Sequence, residues 1–312
     1  MEVVPGLSFR PMQGARSAIV AAILASLACS SQPPRAPSSR ASTAGHADVA
    51  GRNDTPAVPG APDARVIGDG VAAAGGNRRI RTFDEGKREL LRIYSSSSAP
   101  SLDVYCGCPF APAERGSGLR VDLAACGFVT AGSPERAERI EWEHAVPAAA
   151  FGRSFVEWRE GTDRCVDGKG KRFKGRKCAR TSPDFARMEG DLHNLFPVVG
   201  EVNAARGDLP MGILDPPSTE PAHHRARETT RFTGCASSVE EGVFLPRREV
   251  RGDLARAYKY MAAAYPDRRI VDPDHRAIFD QWDREDPPDA WERERNRRIA
   301  AVQGNPNPFI AD

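Results

Sequence analysis

Hydrophobic positions recur at helical spacing in four separate stretches of the chain. Phe83, Leu90, Leu91 and Tyr94 share one face of a predicted helix, and Val250, Leu254, Tyr258, Met261 and Tyr265 form a longer stripe. Ile278, Phe279 and Trp282 mark a third helix. Trp291, Ile299 and Val302 mark a last one, with Asp289 at its start and Gly304 just past its end. Stripes of this kind are faces turned to a core, so these residues are expected to pack rather than to hold a cofactor. Around residue 140 the period changes to two. Ile140, Trp142 and His144 fall on one side, Glu141 and Glu143 on the other, and Pro147 ends the run, which predicts a short strand. Pro197 suits a first helical position and Gly207 a position beyond a helix end, which predicts one helix of about ten residues containing Asn203. Helices therefore dominate, with a few strands gathered in one place, and the fold class is α+β in a single helix-rich domain.

The N-terminus carries another pattern. Residues 1–16 hold Arg10 and Arg16 with no acid after Glu2, and residues 17–28 are an apolar run ending at Cys29. Such a run matches a signal peptide and is too short to span a bilayer, so residues 1–29 are read as an export signal. Small residues before Cys29 also fit a bacterial lipoprotein site, in which Cys29 would tether the protein to a membrane; simple cleavage is the alternative. Residues 30–81 follow as a tether. From Ser30 to about Asn77 the chain is rich in Pro, Ala, Ser and Gly and nearly without aromatics, so it buries too little apolar surface to offset its chain entropy. The folded domain is expected over residues 82–312, and a hydrophobic content of 40% is enough for a sizeable core.

Cysteine usage agrees with export to the periplasm or the medium. Besides Cys29 there are six, Cys106, Cys108, Cys126, Cys165, Cys178 and Cys235, an even set that predicts three disulfides. Cys165–Cys178, closing a short basic loop, is the favoured pair. Zinc on Cys106 and Cys108 is disfavoured because no second Cys or His pair at finger spacing follows. The formal net charge of +2 is too small to argue for a polyanion partner. Its distribution says more. Between residues 153 and 180 there are ten Lys or Arg against four Asp or Glu, and Lys169, Lys171, Lys174 and Lys177 are candidate contacts to a phosphate backbone. Such contacts supply affinity without reading sequence.

The residues with chemistry sit at either end of that basic stretch. A neutral imidazole such as His144 can take a proton from water, while a hard cation prefers oxygen from a carboxylate such as Glu143 or an amide such as Asn203. Neighbouring strand residues point to opposite faces, so Glu143 and His144 can serve one phosphate only if the centre lies over the end of the strand.

Several pieces recur together and in order over roughly residues 82–312. They are Tyr105-Cys106-Gly107-Cys108, Glu141-Trp142-Glu143-His144-Ala145-Val146-Pro147, Phe151-Gly152, Gly175-Arg176-Lys177-Cys178, Met188-Glu189-Gly190-Asp191-Leu192-His193-Asn194-Leu195, Gly200-Glu201-Val202-Asn203 and Val302-Gln303-Gly304-Asn305. This string resembles the endonuclease I family, secreted non-specific nucleases of the ββα-metal (His-Me finger) group. The resemblance implies a disulfide-stapled domain built around that motif. It implies His144 as general base, Glu143 and Asn203 as ligands of one Mg²⁺ that Mn²⁺ or Ca²⁺ could replace, and Arg176 at the phosphate. Lys177 or Lys174 could stand in for Arg176, and Asn194 competes with Asn203 for the metal. Asn203 is favoured because it lies on the predicted helix, while Asn194 suits a brace within the hairpin; His193 and Glu189 are further supporting candidates. A cysteine pair that family members often carry near the C-terminus is missing, Arg293 standing in place of one of them.

The expected activity is Mg²⁺-dependent cleavage of double- and single-stranded DNA, and of RNA, to 5′-phosphate and 3′-hydroxyl ends by a monomer. The competing class is a non-catalytic, disulfide-stapled surface lipoprotein that binds nucleic acid or a protein. It would not account for Glu143, His144, Asn194 and Asn203 all being present. A zinc hydrolase using His144 and His193 lacks a third ligand at a fixed spacing.

Overall fold

In a computed structural model, the described residues are 75–96, 98–114, 118–213 and 230–311. The export signal, Cys29 and residues 30–74 of the tether lie outside the described residues. Helix α1 (Phe83–Tyr94) starts where the Thr82 side chain accepts the Glu85 N–H at 3.2 Å, and it buries Leu90, Ile93 and Tyr94. A hairpin of β1 (Phe110–Pro112) and β2 (Leu119–Val121) follows, then β3 (Ile140–His144). Short helical turns lead through the basic loop to α2 (Arg176–Ala179) and α3 (Pro183–Glu189). Next come β4 (Leu195–Val199) and α4 (Gly200–Arg206), and a three-stranded antiparallel sheet of β5 (Thr230–Arg231), β6 (Ser238–Glu240) and β7 (Val243–Leu245).

Three helices finish the domain: α5 (Arg251–Ala264), α6 (Pro273–Glu285) and α7 (Ala290–Gln303). Asp289 caps α7 by accepting the Glu292 N–H at 2.7 Å, and Gly304 ends it with φ near 95°. α5 and α6 pack on each other around Arg256, whose buried guanidinium reaches Glu292 at 2.7 Å and Asp283 at 2.8 Å. Among the described residues no helix is long and apolar enough to cross a membrane. The class is α+β.

The centre of the molecule corrects the sequence reading at one point. The helix containing Asn203 begins at Gly200, and Pro197 lies in the middle of β4, paired with Trp142. Two bonds that flank the ladder explain how a proline is accommodated. Gly200 N–H donates to Arg139 O at 3.0 Å and Ala145 N–H to Asn194 O at 2.9 Å, which sets the alternation of the antiparallel pair. Pro197 then falls at a non-hydrogen-bonded position, where its missing N–H costs the ladder nothing. All five β4 residues are buried, because β4 lies between two apolar clusters. One is built on Phe151, Phe185, Leu254 and Tyr258, the other on Leu90, Tyr94, Leu192 and Ile299.

Folded structure also starts before residue 82. Asn77 and Ile80 are buried, and the Asn77 amide donates to the carbonyls of Ile80 at 2.7 Å and Arg187 at 2.8 Å. The disulfides are Cys106–Cys235, Cys108–Cys126 and Cys165–Cys178. The last closes the basic loop as expected. The first two anchor the segment before β1 to the β5–β7 region and to the turn after β2, and removing a native disulfide costs about 2–5 kcal/mol.

Candidate active site

β3 runs out at His144, and the chain then turns through Ala145 and Val146. Asn194, fully buried just before β4, accepts the Val146 N–H on Oδ1 at 2.7 Å and donates from Nδ2 to Val146 O at 3.0 Å. It thereby closes the end of the two-stranded pair. A cleft of about 670 Å³ opens over that end. Glu143, His144, Arg176 and Asn203 all line it, together with Phe83, Lys87, Arg136, Arg139, Glu141, Trp142, Trp158 and Arg206.

His144 is held from two sides. Its Nε2 lies 2.8 Å from the backbone carbonyl of Glu189, and a carbonyl can only accept, so Nε2 carries the proton and Nδ1 keeps its lone pair. The Phe83 ring lies against the imidazole, with centroids 4.8 Å apart. α1 can come this close because Gly86 and Gly190 meet without side chains. A Cβ on Gly86 would lie 3.0 Å from Gly190 O, and one on Gly190 2.9 Å from Thr82 O. Burial, with the nearby Arg176 charge adding to it, pulls the His144 pKa down to about 3. The ring is neutral at physiological pH.

Glu143 points the other way from the strand and still reaches the cleft. Its Oε1 accepts from Arg206 Nη1 at 2.8 Å and from the Tyr105 hydroxyl at 3.3 Å. Burial pushes its carboxyl up, and the Arg206 charge opposes that push. Asn203, on α4, donates from Nδ2 to Glu141 Oε2 at 2.8 Å. Burial works against the Glu141 carboxylate, but Arg136, Arg139 and Asn203 together hold it below its ordinary value. With Nδ2 engaged, Oδ1 is the remaining acceptor of the Asn203 amide.

Arg176 is the basic-loop residue that reaches the cleft. Its Nε donates to Glu189 Oε1 at 2.5 Å, and its guanidinium lies over the Phe83 ring at 5.4 Å. Arg180 grips both oxygens of the same carboxylate, at 3.0 and 2.8 Å from Nε. Glu189 thus orients two arginines with its side chain and the imidazole with its carbonyl. Lys169, Lys171, Lys174 and Lys177 are exposed and do not line the cleft. The first two sit in a turn held by Asp167 Oδ1, and Lys177 lies over Phe173 at 4.7 Å.

His193 is not brought to the cleft. It is buried against Tyr260, ring centroids 4.6 Å apart, with Nε2 3.0 Å from Asn305 O. Burial lowers its pKa from 6.5 to about 3. Between those values the unfolded chain binds a proton that the native one does not, so this group contributes stability above the unfolded value that is lost as pH falls. Removing it by His193→Phe is expected to flatten the fall in unfolding free energy between about pH 6.5 and 5 by about 1.5 kcal/mol, measured by urea titration at several pH values. Identical pH dependence in both proteins would contradict this.

Sequence reasoning missed Arg206. Its side chain is fully buried, yet it donates to Glu143 Oε1, to His144 O at 2.8 Å and to Ala145 O at 2.6 Å, clamping the strand end that carries Glu143 and His144. The available signal is its spacing. Arg206 lies four residues after buried Val202 and so falls on the apolar side of α4, where a cation must have partners. Tyr105, Glu141, Arg180 and the placement of Phe83 against His144 were missed as well.

Among the described residues no group of three or more His, Cys, Asp or Glu is placed to hold a metal. Glu143 and Asn203 bring a carboxylate and an amide oxygen to the cleft, donor types that suit a hard cation retaining several waters.

Comparisons with known proteins give the family. The sequence model of the Endonuclease I family matches residues 82–312. An extracellular deoxyribonuclease of Aeromonas hydrophila is 38% identical over 243 residues, covering 77% of this chain and 92% of that protein. A periplasmic deoxyribonuclease of the same species is 39% identical over 236 residues, 75% of this chain and 86% of its own length. Endonuclease-1 of Buchnera aphidicola subsp. Acyrthosiphon pisum is 30% identical over 235 residues, 75% of this chain and 82% of its length. With the family matched over residues 82–312, the chain belongs to the endonuclease I family and is a nuclease.

Proposed function

We propose that this protein is an exported, monomeric, sequence-non-specific endonuclease that hydrolyses phosphodiester bonds of DNA and RNA to 5′-phosphate and 3′-hydroxyl ends with one Mg²⁺, and that β3, β4 and α4 form its ββα-metal motif. The observation that carries the proposal is the convergence of Glu143, His144, Arg176 and Asn203 on one cleft. Export is supported by the apolar N-terminal run and the three disulfides. The N-terminal signal would be removed either by simple cleavage or with attachment to a membrane through Cys29.

His144 Nδ1 would take the proton from the attacking water, while the Glu189 carbonyl keeps the ring in the tautomer that leaves Nδ1 free. Arg176 would face the phosphoryl oxygens as negative charge builds on them. Glu143 through Oε2 and Asn203 through Oδ1 would hold the cation, which supplies charge neutralisation at the phosphate and help for the departing 3′ oxygen. Contacts to phosphate read no bases and no 2′-hydroxyl, in keeping with action on both nucleic acids.

Supercoiled plasmid should be nicked with Mg²⁺ present and left intact when chelator is added, and an RNA substrate should behave alike. Cutting that chelator does not touch would remove the metal from the proposal. Glu143→Gln is the sharper variant, because its amide oxygen can still accept from the buried Arg206 guanidinium, an acceptor that alanine would remove. It should cut poorly at low Mg²⁺ and recover in part as Mg²⁺ is raised, read from nicking rates across a metal titration. A flat titration would mean that Glu143 is not a ligand.

A further inference from the structure

We propose that Trp142 forms a nucleobase subsite, an indole on which an unpaired base next to the scissile phosphate stacks. The inference rests on the cleft being the nuclease site and adds what the enzyme requires of its substrate there. Three aromatic side chains with large faces line the cleft: Phe83, Trp142 and Trp158. Two are already engaged. Phe83 has the His144 ring 4.8 Å away, Arg176 at 5.4 Å and Lys87 at 4.9 Å. Trp158 is pressed onto Gly152, where an added Cβ would lie 2.3 Å from the indole, and it also meets Phe185 at 5.8 Å.

Trp142 differs. Its ring meets one other among the described residues, Tyr94 at 5.4 Å and a tilt of 58°, and Tyr94 is in turn braced by Trp291 at 5.4 Å. Directly across the strand pair stands buried Pro197, on the same face and at a non-hydrogen-bonded position, where side chains approach closely. The indole is therefore backed by the apolar cluster, Tyr94 and Pro197, and what surface it keeps contributes to the cleft lining. Its place along β3 matters as much. Trp142 and His144 share one face two residues apart, about 6.8 Å along the strand, so a nucleotide whose phosphate is at His144 has its base within reach of the indole. Arg136 and Arg139 line the same cleft, and the two of them against the single Glu141 carboxylate they hold leave a net positive charge for the neighbouring backbone.

Stacking is blind to base identity, since every base has a π-face, so this subsite adds affinity without adding sequence preference. A base can reach Trp142 only after it has left its own stack. The enzyme would then act on nucleotides that are single-stranded or extruded from a duplex.

The test uses the full-length protein with Mg²⁺ and a single-stranded DNA oligonucleotide carrying one abasic nucleotide, with cut sites mapped on a sequencing gel. In the wild type, cleavage at one phosphate, at a fixed offset from the abasic position, should fall roughly 5- to 150-fold, the loss of one base–aromatic stack. Other phosphates should be cut as in the intact oligonucleotide. Trp142→Ala should lose that gap and cut intact and abasic strands alike, while Trp142→Phe keeps it. A wild type that cuts evenly around the abasic site overturns the proposal without any variant, and so does a gap that survives in Trp142→Ala. A wild type that cuts neither strand would instead undo the nuclease reading of the cleft.

Discussion

Replacing His144 with alanine is expected to lower turnover by a factor of about 10²–10⁴ while DNA affinity stays within a few-fold of wild type, because the base acts on water and not on the charge of the substrate. The structure sharpens that expectation. The imidazole occupies an enclosed space between Phe83 and the Glu189 carbonyl, so the alanine variant leaves a slot of the right shape with an acceptor at its far end. Added imidazole should enter that slot and restore part of the rate. His144→Gln, by contrast, can keep the bond to Glu189 and should fold normally with no rescue. Single-turnover cleavage and filter binding separate the two quantities. Equal loss of binding and rate, with no response to imidazole, would reduce His144 to a part of the wall.

The helices that could be read in advance are those where one face is wet and the other dry. α1, α5, α6 and α7 carry apolar residues on a single stripe because each lies with one side on the core, whereas β3 was legible from its alternation of residue types alone, both of its faces being covered at Glu143 and His144. β4 could not be read this way. All five of its residues are buried, so Leu195, Phe196, Pro197, Val198 and Val199 show no period, and a proline in a short apolar run is the ordinary sign of a helix start. The site was legible as residue types and illegible as contacts. Glu143 and His144 announce carboxylate and base chemistry. That Phe83 lies against His144, or that the Glu189 backbone orients it, depends on the meeting of α1 and α3 through Gly86 and Gly190, and no local pattern records such a meeting. The bonds of Asn77 to Ile80 and Arg187 are hidden for a like reason, since the surrounding composition is that of a linker while one side chain satisfies a buried carbonyl.

Arg206→Met is expected to destabilise the domain by about 3–5 kcal/mol, the cost of removing one partner from a buried ion pair. The guanidinium carries more than its charge. It donates to the Glu143 carboxylate and to the carbonyls of His144 and Ala145, and each buried acceptor left without a donor costs about 1–3 kcal/mol. Its Nε–H has no partner among the described residues, so the fold accepts an unmet donor in order to keep the other contacts. An apolar residue of similar volume would pack in the same space, which makes positioning of the strand end, rather than packing, the reason for an arginine here. Two measurements separate these meanings. In denaturant titrations, Arg206→Met combined with Glu143→Gln should regain part of the stability lost by Arg206→Met alone, because the stranded charge is gone while the carbonyls of His144 and Ala145 still lack their donor. The double variant should still cut far more slowly than Glu143→Gln, since His144 and Ala145 have lost the donor that fixes their carbonyls. A single variant as stable as wild type would show that the pair is not held as described; a double variant cutting as fast as Glu143→Gln would show that Arg206 serves the carboxylate alone.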